Sequence, residues 1–290
     1  MPLLKVVVLA IVQGLAELLP VSSSAHVVVA ERLMGLDPSS PPMTLLLVML
    51  HTGTMLAVIA YFWPQWRATY FQSSSAFWRA AGLIVLATLC TAVIGGAVIK
   101  AIEKTVLRGV PHAQIEDLFS HLELIAPALA AAGILIIVAG LWSRRQQSEA
   151  LTAANDVTAR RAGIIGLVQG LCLPFRGFSR SGATISTAML LGVAKSRAEA
   201  FSFALAVVLT PPVVAREALR LVQATRGAGG AAGLSSAALM SVVGAVIAFF
   251  AGLLALRWLS RWLERGRWQL FGIYCLVAAA VVLALHHAGY

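Results

Sequence analysis

Charge is scarce in this sequence. Of 290 residues only 12% are Asp, Glu, Lys or Arg, and 59% are hydrophobic, whereas an average soluble domain is about 25% charged. So little charge cannot clothe a water-facing surface, which excludes an ordinary soluble enzyme. Cysteine is nearly absent too. Cys90, Cys172 and Cys275 are odd in number, far apart and set in apolar surroundings, so a disulfide framework or a cysteine-built metal cluster is excluded and packing roles remain. Acidic residues number 12 against 22 basic ones, a net charge of +10. That excess would suggest nucleic acid if it lined one surface. It falls instead between apolar runs, where basic residues mark membrane topology. No nucleic-acid partner is expected, and the surroundings are membrane lipids.

Long apolar sequence is what the chain has in abundance. Runs able to span a bilayer, each near the required ~20 residues, are Met43 to Trp63, Ala80 to Ile99, Ile125 to Trp142, Ala200 to Ala215, Leu234 to Leu256 and Trp268 to Leu285. Two further apolar segments, Leu3 to Leu36 and Ala162 to Val193, are broken by Ser, Gly, Pro and charge. The first resembles a signal peptide, with Lys5 and a Ser23-Ser24-Ala25 end, but Gln13 and Glu17 interrupt its apolar part and its sequence recurs later. A signal peptide is therefore rejected.

The recurrence is Val12-Gln13-Gly14-Leu15, which returns as Val168-Gln169-Gly170-Leu171; each copy is followed by Pro and a Ser-rich turn and precedes three spans. Three is odd, so two such units in series lie in opposite orientations, the inverted-repeat plan of many transporters. The expectation is an all-α integral membrane protein with about six transmembrane helices and two re-entrant helical hairpins. It forms one membrane domain, 1–290. Repeat one covers 1–142, with a hairpin over 3–36 and spans 43–63, 80–99 and 125–142. A cytoplasmic linker, 143–161, leads to repeat two over 162–290, with a hairpin over 162–193 and spans 200–215, 234–256 and 268–285. Non-helical backbone at membrane depth survives only against protein or water, so the tips, Pro20 to His26 and Arg176 to Thr184, are expected to meet across one cavity. The connections 64–79, 143–161, 194–199 and 257–267 carry twelve basic residues, and the opposite side, which includes Arg108, carries eight. The positive-inside rule then puts both termini outside.

Three charged residues lie at the interruptions: Glu17, Arg176 and Arg180. Each would cost about 2.5–3.5 kcal/mol at a helix centre facing lipid. They serve either as a structural ion pair joining the halves or as a site for an anion. Gln13 and Glu17, four apart, share a helix face; Pro20 then breaks the helix, and Ser22, Ser23, Ser24 and His26 follow. Ser triplets often cap helices, and His26 can give or take a proton near neutrality. The second tip reads Arg176-Gly177-Phe178-Ser179-Arg180-Ser181-Gly182-Ala183-Thr184. Its glycines permit close backbone approach, its arginines offer forked donors to phosphate, and the hydroxyls of Ser179, Ser181 and Thr184 add donors without charge.

Gln13-x-x-x-Glu17 with Pro20-Val21-Ser22-Ser23-Ser24-Ala25-His26, and Gly177 through Thr184, together with His51-Thr52-Gly53-Thr54 and Phe201-Ser202-Phe203, closely resemble the undecaprenyl-diphosphatase, or bacitracin-resistance phosphatase, family. The resemblance runs nearly the whole chain. It implies hydrolysis of undecaprenyl diphosphate, a polyprenyl lipid substrate, to the monophosphate at the outer face of the bacterial inner membrane. That reaction recycles the carrier for peptidoglycan synthesis. It also implies a divalent cation, Mg or Ca, with Glu17 a possible ligand. By the same resemblance Glu17, Ser23, His26 and Arg180 are catalytic, and Gln13, Ser22, Ser24, Arg176, Gly177, Ser179, Ser181 and Thr184 hold phosphate. Gln13 stands where Glu is commoner, Ala25 where Gly is, and Arg176 where Pro is usual. The rival reading is an inverted-repeat transporter or flippase for an anionic or polyprenyl-phosphate substrate. Oligomeric state is left open.

Overall fold

A computed structural model describes residues 2–37, 40–105, 122–147, 156–226 and 231–288. Arg108 and residues 148–155 of the 143–161 linker lie outside the described residues. Within them the chain is all helical: α1 (Leu3–Leu18), α2 (Ser23–Leu33), α3 (Pro41–Thr69), α4 (Ser74–Thr105), α5 (Leu122–Gln147), α6 (Ala159–Cys172), α7 (Arg180–Leu190), α8 (Lys195–Arg226), α9 (Ala231–Glu264) and α10 (Trp268–His287). Six of these, α3, α4, α5, α8, α9 and α10, are long and apolar enough to cross a membrane. The protein is thus a multi-pass membrane protein, as its composition requires.

The helices outrun the apolar windows that announce them. α8 extends from Lys195 to Arg226, through Pro211 and Pro212, against an expected 200–215. Proline removes a backbone donor, but a membrane helix tolerates the break where neighbouring groups satisfy the freed carbonyls. α3 begins where Pro41 and Pro42 occupy its first positions, where a missing donor costs nothing.

Helix packing follows the repeat. α1 packs on α2 as α6 packs on α7, making two helical hairpins, while α5 packs on α10 and α3 on α8, each against its own counterpart. The first arm of each hairpin is gripped by the other half: α1 lies on α9, and α6 on α4. The repeated Val-Gln-Gly-Leu motif explains this contact. A side chain at Gly14 would lie 2.6 Å from the Ala251 Cβ, and one at Gly170 would lie 2.7 Å from the Thr91 carbonyl oxygen. Small residues at such crossings allow backbones to approach, which is how membrane helices associate without a hydrophobic driving force. In the second copy Gln169 is also spent on packing, donating to Thr91 Oγ1 at 3.0 Å.

The interior centres on Phe62, Phe203 and Trp268, all fully buried. The indole N–H groups there are matched: Trp268 Nε1 donates to Ser186 Oγ at 2.9 Å, and that of the neighbouring Trp66 donates to the Ala200 carbonyl at 3.1 Å. Large apolar side chains such as Leu89, Val93, Phe250 and Leu254 point outward, a surface suited to lipid.

Candidate active site

Two breaks in the chain create the site. α1 stops at Leu18 because Leu19, before Pro20, takes an extended conformation with ψ 150, as a residue preceding proline prefers. The chain then turns through Ser22, whose φ of 66 is the only positive value at a non-glycine residue among those described, and α2 starts at Ser23. Such backbone strain concentrates at functional turns. In the second hairpin α6 ends at Cys172 and α7 begins at Arg180, capped by Ser179, whose Oγ accepts from the Gly182 N–H at 3.2 Å. Gly177, with φ 102, makes the turn, and a side chain there would collide with the Ile125 carbonyl of α5.

The tips meet. Arg180 Nη2 lies 3.1 Å from Glu17 Oε1, and Ser181 Oγ donates to the Leu19 carbonyl at 3.4 Å. The other carboxylate oxygen, Glu17 Oε2, accepts from Ser23 Oγ at 2.5 Å and from Gln13 Nε2 at 3.2 Å. Glu17, Ser23 and Arg180 therefore form one connected group assembled from three helices of both halves. α2 and α7 both begin here, so their N-terminal amides add partial positive charge, which favours an anion. The group borders a narrow cleft lined also by Leu18, His51, Thr54, Met55, Val58, Ala206, Val207 and Thr210. Its free volume is about 10 Å³, close to what one water needs.

The other expected residues are placed as follows. Gln13 is buried beside Glu17. Ser22 Oγ and Ser24 Oγ lie 3.2 Å apart at the first tip. Ser179, Ser181 and Thr184 are buried, and Thr184 Oγ1 sits 2.5 Å from Ser202 Oγ and donates to the Arg180 carbonyl at 2.9 Å. These three hydroxyls brace α7. Arg176 is exposed, and its charge acts on the buried Glu31 of α2. His26 does not reach toward Ser23 for its hydrogen bonds. Its Nδ1 lies 2.7 Å from the Ser22 carbonyl, which can only accept, so Nδ1 carries a proton. Its Nε2 faces Tyr274 Oη at 2.7 Å, with the rings stacked at 5.6 Å.

Sequence reasoning gave no site role to three of these neighbours. His51 Nε2 is 3.9 Å from Glu17 Oε2, and Thr54 lines the same cleft; their signal was the His-Thr-Gly-Thr string inside an apolar span. Tyr274, on α10, gave only a single phenol in an apolar run. It couples to His26 whether that ring is neutral, with the phenol donating, or protonated, with the phenol accepting.

The donor set at the cleft does not by itself, among the described residues, build a resident metal site. Among the described residues no three His, Cys, Asp or Glu side chains converge. Glu17 is, among the described residues, the single carboxylate lining the cleft, and it already binds Ser23, Gln13 and Arg180. Mg and Ca prefer several oxygen ligands, and this donor set makes no cage.

Two hairpin tips from interlocked halves, joining a carboxylate, a hydroxyl and a guanidinium in an otherwise apolar bundle, define a multi-pass membrane protein with an embedded polar site. The chain belongs to the bacitracin resistance protein BacA family, whose model matches residues 6–281. It is 56% identical, over 98% of both chains, to "Undecaprenyl-diphosphatase 2" of Acinetobacter baylyi. It is 33% identical over 97% of both chains to "Undecaprenyl-diphosphatase" of Desulfatibacillum aliphaticivorans. Its identity to the protein of that name in Rhodopirellula baltica is 31%, over 98% of both.

Proposed function

We propose that this protein hydrolyses undecaprenyl diphosphate to undecaprenyl phosphate and inorganic phosphate, returning the lipid carrier to peptidoglycan synthesis and giving resistance to bacitracin. The observation that carries the reading is the Glu17–Ser23–Arg180 group, found in a chain 56% identical from end to end to a protein named for that activity.

The geometry supports a specific sequence of steps. Ser23 Oγ attacks the terminal phosphorus, and Glu17, already accepting its hydrogen bond at 2.5 Å, takes the proton. The bond from that phosphorus to the bridging oxygen breaks, and undecaprenyl phosphate leaves. Arg180 shifts from Glu17 to the phosphoryl oxygens, where it and the first amides of α7 stabilise the transferring charge. Glu17, having passed the first proton to the departing phosphate, then deprotonates a water that attacks the phosphoserine, and the P–Oγ bond breaks as Ser23 takes that proton back. Direct attack by water activated at Glu17 uses the same residues, and a trapped phosphoserine separates the two schemes. His26, tied to Ser22 and Tyr274, holds the turn that presents Ser23.

The hairpins are read as re-entrant, with the domain bounds given above. The cleft is read as opening to the outer face of the inner membrane, with both termini outside. The basic-residue bias supports this, as does the place of His51 in the N-terminal half of α3, away from the basic connections. The symmetric packing of α3 on α8 and α5 on α10 also suits a transporter or flippase. Purified protein in detergent, which has no second compartment, decides. Phosphate release from undecaprenyl diphosphate that disappears in Glu17→Gln is expected, and no release would favour transport.

A further inference from the structure

A second cavity, roomier than the cleft at Glu17, sits at the opposite end of α3. It holds about 190 Å³ and is formed where the end of α3, the start of α4, residues 156–157 and the start of α8 converge. All four belong to the side with the more basic connections. Its walls are fixed. Trp66 Nε1 donates to the Ala200 carbonyl at 3.1 Å, and Gln65 Nε2 donates to the Ser196 carbonyl at 3.2 Å, which pins α3 to α8. Opposite, Arg161 Nη1 donates to the Asp156 carbonyl at 2.7 Å, and Thr158 caps α6. The buried Phe201 lies among the lining residues.

The lining carries two guanidinium groups, Arg79 and Arg197, against one carboxylate, Asp156, with the hydroxyl of Tyr70 and the amide of Gln72 beside them. Arg79 Nη2 is 3.4 Å from Asp156 Oδ2, with side chains 65% and 46% exposed. An exposed pair of this kind holds its partners weakly, so Arg79 can turn to a stronger anion. The same α3–α4 corner exposes an unbroken chain of aromatic rings: Trp63 to Phe71 at 5.5 Å, Phe71 to Phe77 at 5.6 Å and Phe77 to Trp78 at 5.3 Å. Such rings settle at the level of lipid headgroups. An arginine-lined hollow beside them meets the phosphate of a lipid whose tails lie along the rings.

We propose that this cavity binds the phosphodiester headgroup of an anionic membrane lipid, separately from the site at Glu17. Arg79 and Arg197 grip the phosphate oxygens, and the aromatic corner receives the upper part of the acyl chains. A free phosphate ion shares the headgroup chemistry and lacks the tails, so the two sources can be told apart.

The test is native mass spectrometry of full-length protein extracted from vesicles of equal parts phosphatidylcholine and phosphatidylglycerol. Wild type should retain phosphatidylglycerol preferentially. The Arg79→Gln/Arg197→Gln variant should lose at least about tenfold of that preference, since it removes two charge-assisted contacts. Arg145→Gln, an exposed arginine elsewhere, should keep it. Phosphate release from undecaprenyl diphosphate in detergent should persist in the double variant, showing that it is folded. Should the double variant not fold, each single change made alone carries the same test, with a partial loss expected. Retention equal to wild type in the variants lacking Arg79 or Arg197, or an equal loss in Arg145→Gln, would overturn the proposal. Stripping of the lipid by millimolar inorganic phosphate would overturn it too, because the cavity would then take a free anion.

Discussion

Replacing Arg180 by Ala tests the chemistry most directly. Its Nη2 contacts Glu17 at 3.1 Å, and the two side chains are 25% and 16% exposed. The contact is therefore partly screened, and the ground-state loss belongs at the lower end of the roughly 1.5–3 kcal/mol typical of charge-assisted bonds. In the transition state the guanidinium faces developing phosphoryl charge, where a lost donor costs about 2.7–4 kcal/mol. Partial exposure again favours the smaller figure, so kcat should fall about 100-fold. Arg180→Lys keeps the charge without the fork and should fall between. The assay is steady-state phosphate release in detergent, paired with thermal unfolding. If Glu17 and Arg180 are merely a tie between the halves, Arg180→Ala will melt earlier and keep its activity per folded molecule. Activity within a few-fold of wild type would refute the catalytic assignment.

Four further outcomes are expected. Ser23→Ala should lose at least about 10³-fold in kcat if its oxygen is the nucleophile, and acid-quenched wild type should carry phosphoserine; full activity in the variant would point to water. Tyr274→Phe keeps the stacked ring but removes the hydrogen bond to His26, worth about 1 kcal/mol, so kcat/KM should drop about fivefold, and no change would mean that the phenol positions nothing. Gly14→Val places a Cβ 2.6 Å from Ala251 Cβ, whereas Gly82 has open space around it; the first should destabilise by about 1–3 kcal/mol in thermal unfolding and Gly82→Val far less. A chelator should leave the Tm of the substrate-free protein unchanged, since no cage exists among the described residues, and a drop of several degrees would reveal a resident ion.

Much of this architecture was written in local pattern. Six apolar runs gave six long helices because a bilayer leaves few alternatives, and Pro20 and Gly177 marked the tips because backbone rules act within a few residues. Helix ends were less legible. α8 continues past Pro211 and Pro212 because packing, rather than propensity, carries it. Glu17 and Arg180 stood out since charge is costly in an apolar segment, and Ser23 through the role that the family resemblance implies. His51 and Tyr274 did not, because a lone polar group in a span becomes meaningful only when a distant partner arrives. Arg176 stood in the tip sequence as a residue to hold phosphate, and the fold also brings its charge to bear on Glu31. Its neighbour was set by how the hairpins cross, which neither segment encodes alone.

The grip of α9 on α1 bears on how the protein is made. The first hairpin leaves the ribosome with its strained Ser22 turn and its carboxylate exposed, and the helix that clasps it is among the last to be synthesised. Until then a chain ending after α5 lacks the Arg180 partner of Glu17 and the α9 wall of the hairpin. Premature termination should therefore leave fragments for proteolysis, with no half-working enzyme among them.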